Sequence, residues 1–435
     1  MYKKSRTWAG IGTAMVLSSI IVGCGTSSPS SNASAANITV WDIATGPAQQ
    51  LIQNQTNQFN QSHPNIHATV EFFQNNPYKQ KLQIAMGAHN PPDIFFNWGG
   101  GVLQSYVAAN DVYNLTPALN ADPAWKNKYL PSMWSAVTFN GKIYGVPSNF
   151  VQPELFNYNK AIFAEYHLTP PATWPQLLSD IQVLKSHNVI PIALAGESQW
   201  PELIWEEYLV DRLGGPQAFD AVLAGKPNAW SNPAFIQANT MIQQLVKDGA
   251  FEPGFSAVGY TAGGSDALVY TGKAAMQLMG SWDYQNIQAS DPAYISQGHF
   301  GWFAFPAVPG GKGNPANVAG NLSNYYSIAA ASKNPQAAVT YLKSVPLNSA
   351  EVHTYIQLGD VPPVVGIAPL LAKQPNGNWL TYIYDMTANA PHFQLSWDQA
   401  LPPAEAQALL TNLSELFLNQ ITPQQFSQNM NQYLK

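Results

Sequence analysis

Early in the chain the apolar positions alternate between two rhythms. Ile38-Thr39-Val40-Trp41 reads as a short strand, and residues 49–62 follow with the three-and-four spacing of a helix. Ala48, Leu51, Ile52 and Phe59 fall on that helix's inner side. Residues 66–73 return to a strand, 78–86 to a helix, and "DIFFN" at 93–97 to a buried strand. This alternation predicts an α/β fold: a sheet of parallel strands with helices on both faces. Ligands of such sheets sit beyond the carboxyl ends of the strands. Here those positions hold Asp42, Gln74 to Asn76, and Trp98 followed by three glycines.

A second region with its own strands begins near Pro147. "FNGKIYGVP" reads as a hairpin around Asn140-Gly141, a favoured two-residue turn. "PELFNYN", "VIPIALAG", "AAMQLMG" and 325–331 read as strands. Residues 173–187, 200–213, 232–248, 334–345 and 349–358 carry helical patterns, as do 403–433, broken near Gln420. No internal repeat stands out. Two α/β bodies with a cleft between them are the economical architecture.

The amino terminus has a different character. Lys3, Lys4 and Arg6 precede an apolar run at 8–22, too short to span a bilayer comfortably, which reads as an export signal. Ile21-Val22-Gly23-Cys24 then matches a bacterial lipobox, and Cys24 is the only cysteine, so it serves no internal disulfide. The expectation is a signal peptide at 1–23, lipidation at Cys24 and a flexible tether over 24–36. A buried thiol behind an ordinary cleavable signal is the alternative.

Only 10% of residues are charged, against roughly 25% in an average soluble protein. The balance is acidic, 19 bases to 25 acids, which argues against nucleic acid or an anionic membrane surface as partner. Asn, Gln, Ser and Thr carry the polarity, as in "QQLIQNQTNQFNQS". Few carboxylates and few lysines suit a protein that faces acid, because little changes on protonation.

The motif order resembles the extracellular solute-binding proteins of ABC importers, in their carbohydrate-binding group. It rests on the lipobox, "ITVWDIATG" before a long helix, "PPDIFFNWGG" and "GKIYGVPSNFVQPELFNYNKAIF". "PIALAGESQWP", "GKAAMQLMGSWDY", "GNLSNYYSIAAASKNPQAAVTYLKSV", "SWDQALPP" and "LFLNQITPQQFSQNMNQ" continue it. The resemblance implies a two-lobed periplasmic-binding-protein-like fold with a ligand cleft between lobes. Residues 37–146 and 326–366 would form one lobe, and 147–325 and 367–435 the other. Asp42, Trp98, Asn149, Glu197, Trp200, Trp282, Asn321 and Trp397 match positions that touch or flank the ligand, with Asn97 as the alternative to Trp98. The implied protein is a monomeric receptor at the outer face of the cell membrane, held there by lipid alone. It would hand its solute to a membrane permease, with no cofactor and no metal.

The residues themselves say what that solute needs. Sugar ring faces lie on aromatic rings, while sugar hydroxyls pair with amides and carboxylates. Trp98, Trp200 and Trp282 follow predicted strands, so they are candidate platforms, with core packing as the alternative. Trp125, Trp134, Trp174, Trp205 and Trp230 fit helical patterns and read as packing. Asp42, Gln74, Glu197 and Asp283 are candidate hydroxyl acceptors, although Asp42 and Asp283 also suit helix starts. Asn149, Asn321 and Asn324 are neutral candidates; Tyr325 and Asp398 are weaker ones. Beyond Arg6 the one arginine is Arg212, which disfavours ligands carrying carboxylate or phosphate.

An exported glycoside hydrolase or a surface lectin remains the alternative. Glu202 and Glu206 lie four apart on one helix, but a solvated face explains them better than a catalytic pair. No G-x-S-x-G elbow or Walker loop occurs. A neutral mono- or oligosaccharide, more readily a di- or oligosaccharide, is the expected ligand.

Overall fold

The computed structural model describes residues 35–260 and 263–434. The expected signal segment, Cys24 and all but the last two residues of the tether lie outside them. Thirteen strands occur among the described residues: β1 (Ala36–Asp42), β2 (Ile66–Phe72), β3 (Ile94–Asn97), β4 (Thr138–Phe139), β5 (Lys142–Ile143), β6 (Val146–Pro147) and β7 (Gln152–Asn159). The rest are β8 (Ile190–Ala193), β9 (Ala274–Gly280), β10 (Phe300–Phe303), β11 (Val318–Asn321), β12 (Tyr325–Ile328) and β13 (Phe393–Leu395). One sheet runs β2-β1-β3-β12-β6; a second runs β13-β11-β7-β9-β8 with β10 also on β7; β4 and β5 form the expected hairpin.

Helices pack over the first sheet. All four residues of β3, a central strand, are buried. The helix Gly46–Ser62 buries Leu51, Ile52 and Phe59 against it. The helix Pro335–Ser344 buries Ala338, Tyr341 and Leu342. Thr56 and Tyr341 join the two through a 2.7 Å hydroxyl–hydroxyl bond.

Neither sheet is parallel throughout, which corrects the simpler expectation. β1 is parallel to β2 and β3, but β12 runs antiparallel to both β3 and β6. The reason lies in the connections. β6 leaves the first sheet at Pro147 and β12 enters it at Tyr325, both beside Asn97 at the carboxyl end of β3. A strand that enters at that end must run backwards. The two crossing segments are tied together: Ser148 N donates to Asn324 O at 2.9 Å, and Asn324 N to Asn149 Oδ1 at 3.1 Å.

In the second body the helix Trp200–Gly214 is buried from Pro201 to Arg212 on every side. It packs against the helices Pro233–Lys247 and Pro403–Phe417 and against β9 and β11. Glu202, Glu206 and Glu207 are therefore 1%, 0% and 0% exposed, and the expected solvated face does not exist. The carboxy-terminal helical stretch breaks at Asn419, whose positive φ ends one helix before Thr422 and Gln425 cap the next. Gly320 permits β11 to lie against β7: a Cβ there would stand 2.1 Å from Gln152 O.

Candidate functional site

A cleft of about 400 Å³ opens at the carboxyl ends of β1 and β3, where the two crossing segments pass. That volume suits a small-molecule ligand. Seven sequence candidates line it: Asp42, Gln74, Trp98, Asn149, Trp200, Trp282 and Asn321. Asn324 and Asp398 join them.

The aromatic residues stand on both sides. Trp98, half-buried, leaves β3 and packs edge-on to Phe96 at 5.0 Å. Across from the first sheet, Trp200 meets Trp282 at 5.8 Å and Tyr260 at 5.1 Å between ring centroids. Trp200 opens its helix after Gln199, whose positive φ turns the chain, and Trp282 follows directly from β9. Asn97 is buried outside the lining. Its Oδ1 accepts from Gly99 N at 3.0 Å and its amide donates to Ser327 Oγ at 2.9 Å, so it fixes the turn that presents Trp98.

Asp42 reaches the cleft with both oxygens engaged, by Tyr326 Oη–H and by Ala44 N at 2.6 Å. Burial raises its pKa, and these hydrogen bonds oppose the shift. Several other cleft groups are unengaged. The buried oxygens Asn75 Oδ1, Ser148 Oγ, Gln285 Oε1, Asn321 Oδ1 and Asn324 Oδ1 line the cleft without a protein donor or acceptor partner. A buried polar atom left so is costly unless something else pairs with it.

Four candidates are displaced from the cleft. Tyr325 is fully buried in β12, its hydroxyl donating to Met133 O at 2.7 Å. Trp397 is fully buried, stacked on Phe219 at 4.1 Å and packed against Trp230 and Phe235, so it belongs to the core. Asp283 lies beneath the cleft, accepting from Asn157 at 2.7 Å and from Tyr260 Oη at 3.2 Å. It positions Tyr260, which does line the cleft. Glu197 is exposed and outside the lining, with Ser198 Oγ donating to it at 3.3 Å.

Sequence reasoning placed Asn75 at the ligand end of the strands but missed Lys79, Ser148, Gln152, Glu154, Tyr260 and Gln285. For Gln152 and Glu154 a signal existed: polar residues two apart in an extended segment project to one face. Among the described residues the lining carries four acidic side chains and a single cation, Lys79, which is 2.7 Å from Asp398. Arg212 is 1% exposed; it bonds Asp211 at 2.6 Å and the carbonyls of Pro315 and Asn317, pinning a loop far from any ligand role. No group of metal-binding side chains and no helix long and apolar enough to cross a membrane occurs among the described residues.

The model of the family described as bacterial extracellular solute-binding protein matches residues 44–345, and the chain belongs to that family. It is a receptor for a transported solute, not an enzyme. The chain is 27% identical to an uncharacterised ABC transporter extracellular-binding protein of Pyrococcus horikoshii, over 80% of this chain and 78% of that one. A structure from work on xylan utilisation by Caldanaerobius polysaccharolyticus superposes with a TM-score of 0.83 at 30% identity, covering 92% of this chain and all of that one. A chitin oligosaccharide binding protein superposes with a TM-score of 0.81 at 26% identity, over 92% and 98%.

Proposed function

We propose that the cleft holds a neutral di- or oligosaccharide and that the receptor delivers it to an ABC importer. The observation that carries this reading is the pairing of two features in one cavity. Indole rings stand on both sides, and five buried amide or hydroxyl oxygens await partners. Ring hydroxyls supply donors for those oxygens while the C–H faces of the sugar cover the indoles. An anion would find no free cation among the described lining residues, whose one lysine is already paired with Asp398, so a neutral guest fits the electrostatics. The relatives from xylan utilisation and chitin oligosaccharide binding support the same ligand class.

In this reading Asp42, Gln74, Trp98, Asn149, Trp200, Trp282 and Asn321 form the ligand set, joined by Ser148, Gln152 and Asn324. The lobes are 37–146 with 326–366, and 147–325 with 367–435, and the receptor acts as a monomer. Cys24, lipidated after removal of 1–23, keeps it at the outer face of the membrane. Cys24→Ser is expected to release it to the medium.

A thermal-shift panel of xylo-oligosaccharides, chitin oligosaccharides, polyols and amino acids tests the ligand class, since binding the folded state alone raises the melting temperature. A rise with neutral oligosaccharides and no release of reducing sugar is expected. A rise with amino acids alone refutes the reading.

A further inference from the structure

Beneath the cleft two carboxyl groups meet. Glu154 on β7 lines the cleft and is 2% exposed; Glu207, on the helix Trp200–Gly214, is fully buried behind it. Ser396 Oγ donates to Glu154 Oε1 at 3.1 Å, and Trp397 N donates to Glu207 Oε1 at 2.6 Å. The second oxygen of each, Glu154 Oε2 and Glu207 Oε2, is buried without a protein donor. Ser396 and Trp397 are consecutive and hold one carboxyl each, which sets the two side by side; two carboxylates so placed in a dry site repel each other unless a proton joins them.

No cation stands ready to replace that proton. From the short helix Trp397–Ala400 the neighbour is Asp398, whose charge Lys79 neutralises at 2.7 Å. From the helix that carries Glu207 comes Tyr208, donating its hydroxyl to the Glu154 carbonyl, with the Arg212 guanidinium 5.0 Å from the Tyr208 ring. That guanidinium is held by Asp211 and by carbonyls. Burial, and then the mutual repulsion of the pair, push Glu207 well up, and burial pushes Glu154 up likewise.

We propose that Glu154 contacts the bound ligand and works as a proton-sharing pair with Glu207, so that ligand binding takes up a proton from solvent. The inference rests on the saccharide reading. Its physics is desolvation. A saccharide over Glu154 removes the remaining water from the pair, and a drier site favours its protonated state further. By linkage the reverse holds: protonation strengthens ligand binding, by at most about tenfold per pH unit for one proton. Neutral carboxyl groups also suit a neutral guest, because a hydroxyl meets a carboxyl that both donates and accepts. The receptor then loads fully in acid and at neutrality and weakens as pH climbs past about 8, the value to which burial raises Glu154.

Titration calorimetry of the purified receptor with xylo-oligosaccharides and chitin oligosaccharides, in two buffers of different ionisation enthalpy, counts the protons. Net uptake is expected at about pH 8 and above, with Kd flat in acid and rising severalfold per unit beyond about pH 8. Glu207→Gln keeps a donor for Glu154 and an acceptor for Trp397 N without a titrating proton, and is expected to flatten that profile. Should the variant fail to fold, the proton count on the natural receptor decides. Binding without proton uptake in that range, or identical pH profiles for receptor and variant, overturns the proton role and leaves the saccharide reading standing. Binding of no saccharide at any pH overturns that reading, and this inference with it.

Discussion

Lys79 and Asp398 join the two sides of the cleft. The ammonium lies 2.7 Å from the Asp398 carboxylate and 4.9 Å from the centroid of the Trp98 ring. Lys79 belongs to the helix Asn75–Gly87, beside the first sheet, while Asp398 follows β13 of the second. One side chain thus fixes the spacing of the walls and covers one face of an indole. Lys79→Met keeps the aliphatic cover but leaves a mostly buried carboxylate without its cation. Saccharide affinity is expected to fall severalfold and to lose part of its salt dependence, as Kd measured at low and high ionic strength will reveal.

Two tryptophans that look alike in sequence should behave in opposite ways. Trp282 lines the cleft, half-buried, whereas Trp397 is wholly enclosed. Trp282→Ala is expected to weaken saccharide binding by about tenfold or more while the melting temperature stays within a few degrees. Trp397→Ala is expected to destabilise the fold by about 3–5 kcal/mol through the cavity it leaves. Chemical denaturation of both variants beside their Kd values separates the roles.

Gly101 tests how closely the walls must approach. A Cβ there would stand 2.3 Å from Ala400 O and 2.8 Å from the Leu401 carbonyl carbon, across the join between the two bodies. Gly101→Ala is expected to hold the bodies apart, weakening ligand binding by about tenfold at a stability cost of about 1–3 kcal/mol. Affinity equal to the natural receptor's would mean that the contact plays no part in gripping the ligand.

The buried carboxyls set the pH dependence of stability. Burial pushes Glu202 and Glu206 up to about 8 from an ordinary 4.5, outweighing the Ser414 hydroxyl bonded to Glu202 at 2.7 Å and Asn239 beside Glu206. A group raised on folding stabilises fully below its unfolded value, and that contribution fades as pH climbs through the folded one. Each such group therefore contributes on the order of 4 kcal/mol near pH 4 that is gone near pH 8. The melting temperature is expected to fall between about pH 5 and pH 8, and Glu206→Gln is expected to reduce the fall. A maximum near neutrality would contradict this.

Much of this molecule was legible in its sequence, because periodicity reports which residues are buried along one element. The opening strand–helix alternation, the break near Gln420 and the loop positions of Trp98, Trp200 and Trp282 all follow from such local patterns. What was not legible depends on neighbours distant in the chain. Glu202 and Glu206 look solvated on an isolated helix and are buried only because three layers close around it. Trp397 follows a strand as Trp282 does, but its strand, β13, sits at a sheet edge where the indole drops into the core. Glu154 was visible as an acid in a strand, yet its partner Glu207 lies 53 positions on and no spacing rule links them. The low charge that suggested acid surroundings is joined here by buried acids that favour their neutral form.

Titrating the purified receptor with neutral xylo-oligosaccharides and chitin oligosaccharides, beside phosphate esters and amino acids, tests the central claim most directly. The account expects one neutral oligosaccharide to bind with one-to-one stoichiometry, with Trp282→Ala weakening that binding. Binding of an anionic solute with no response to any saccharide would contradict it.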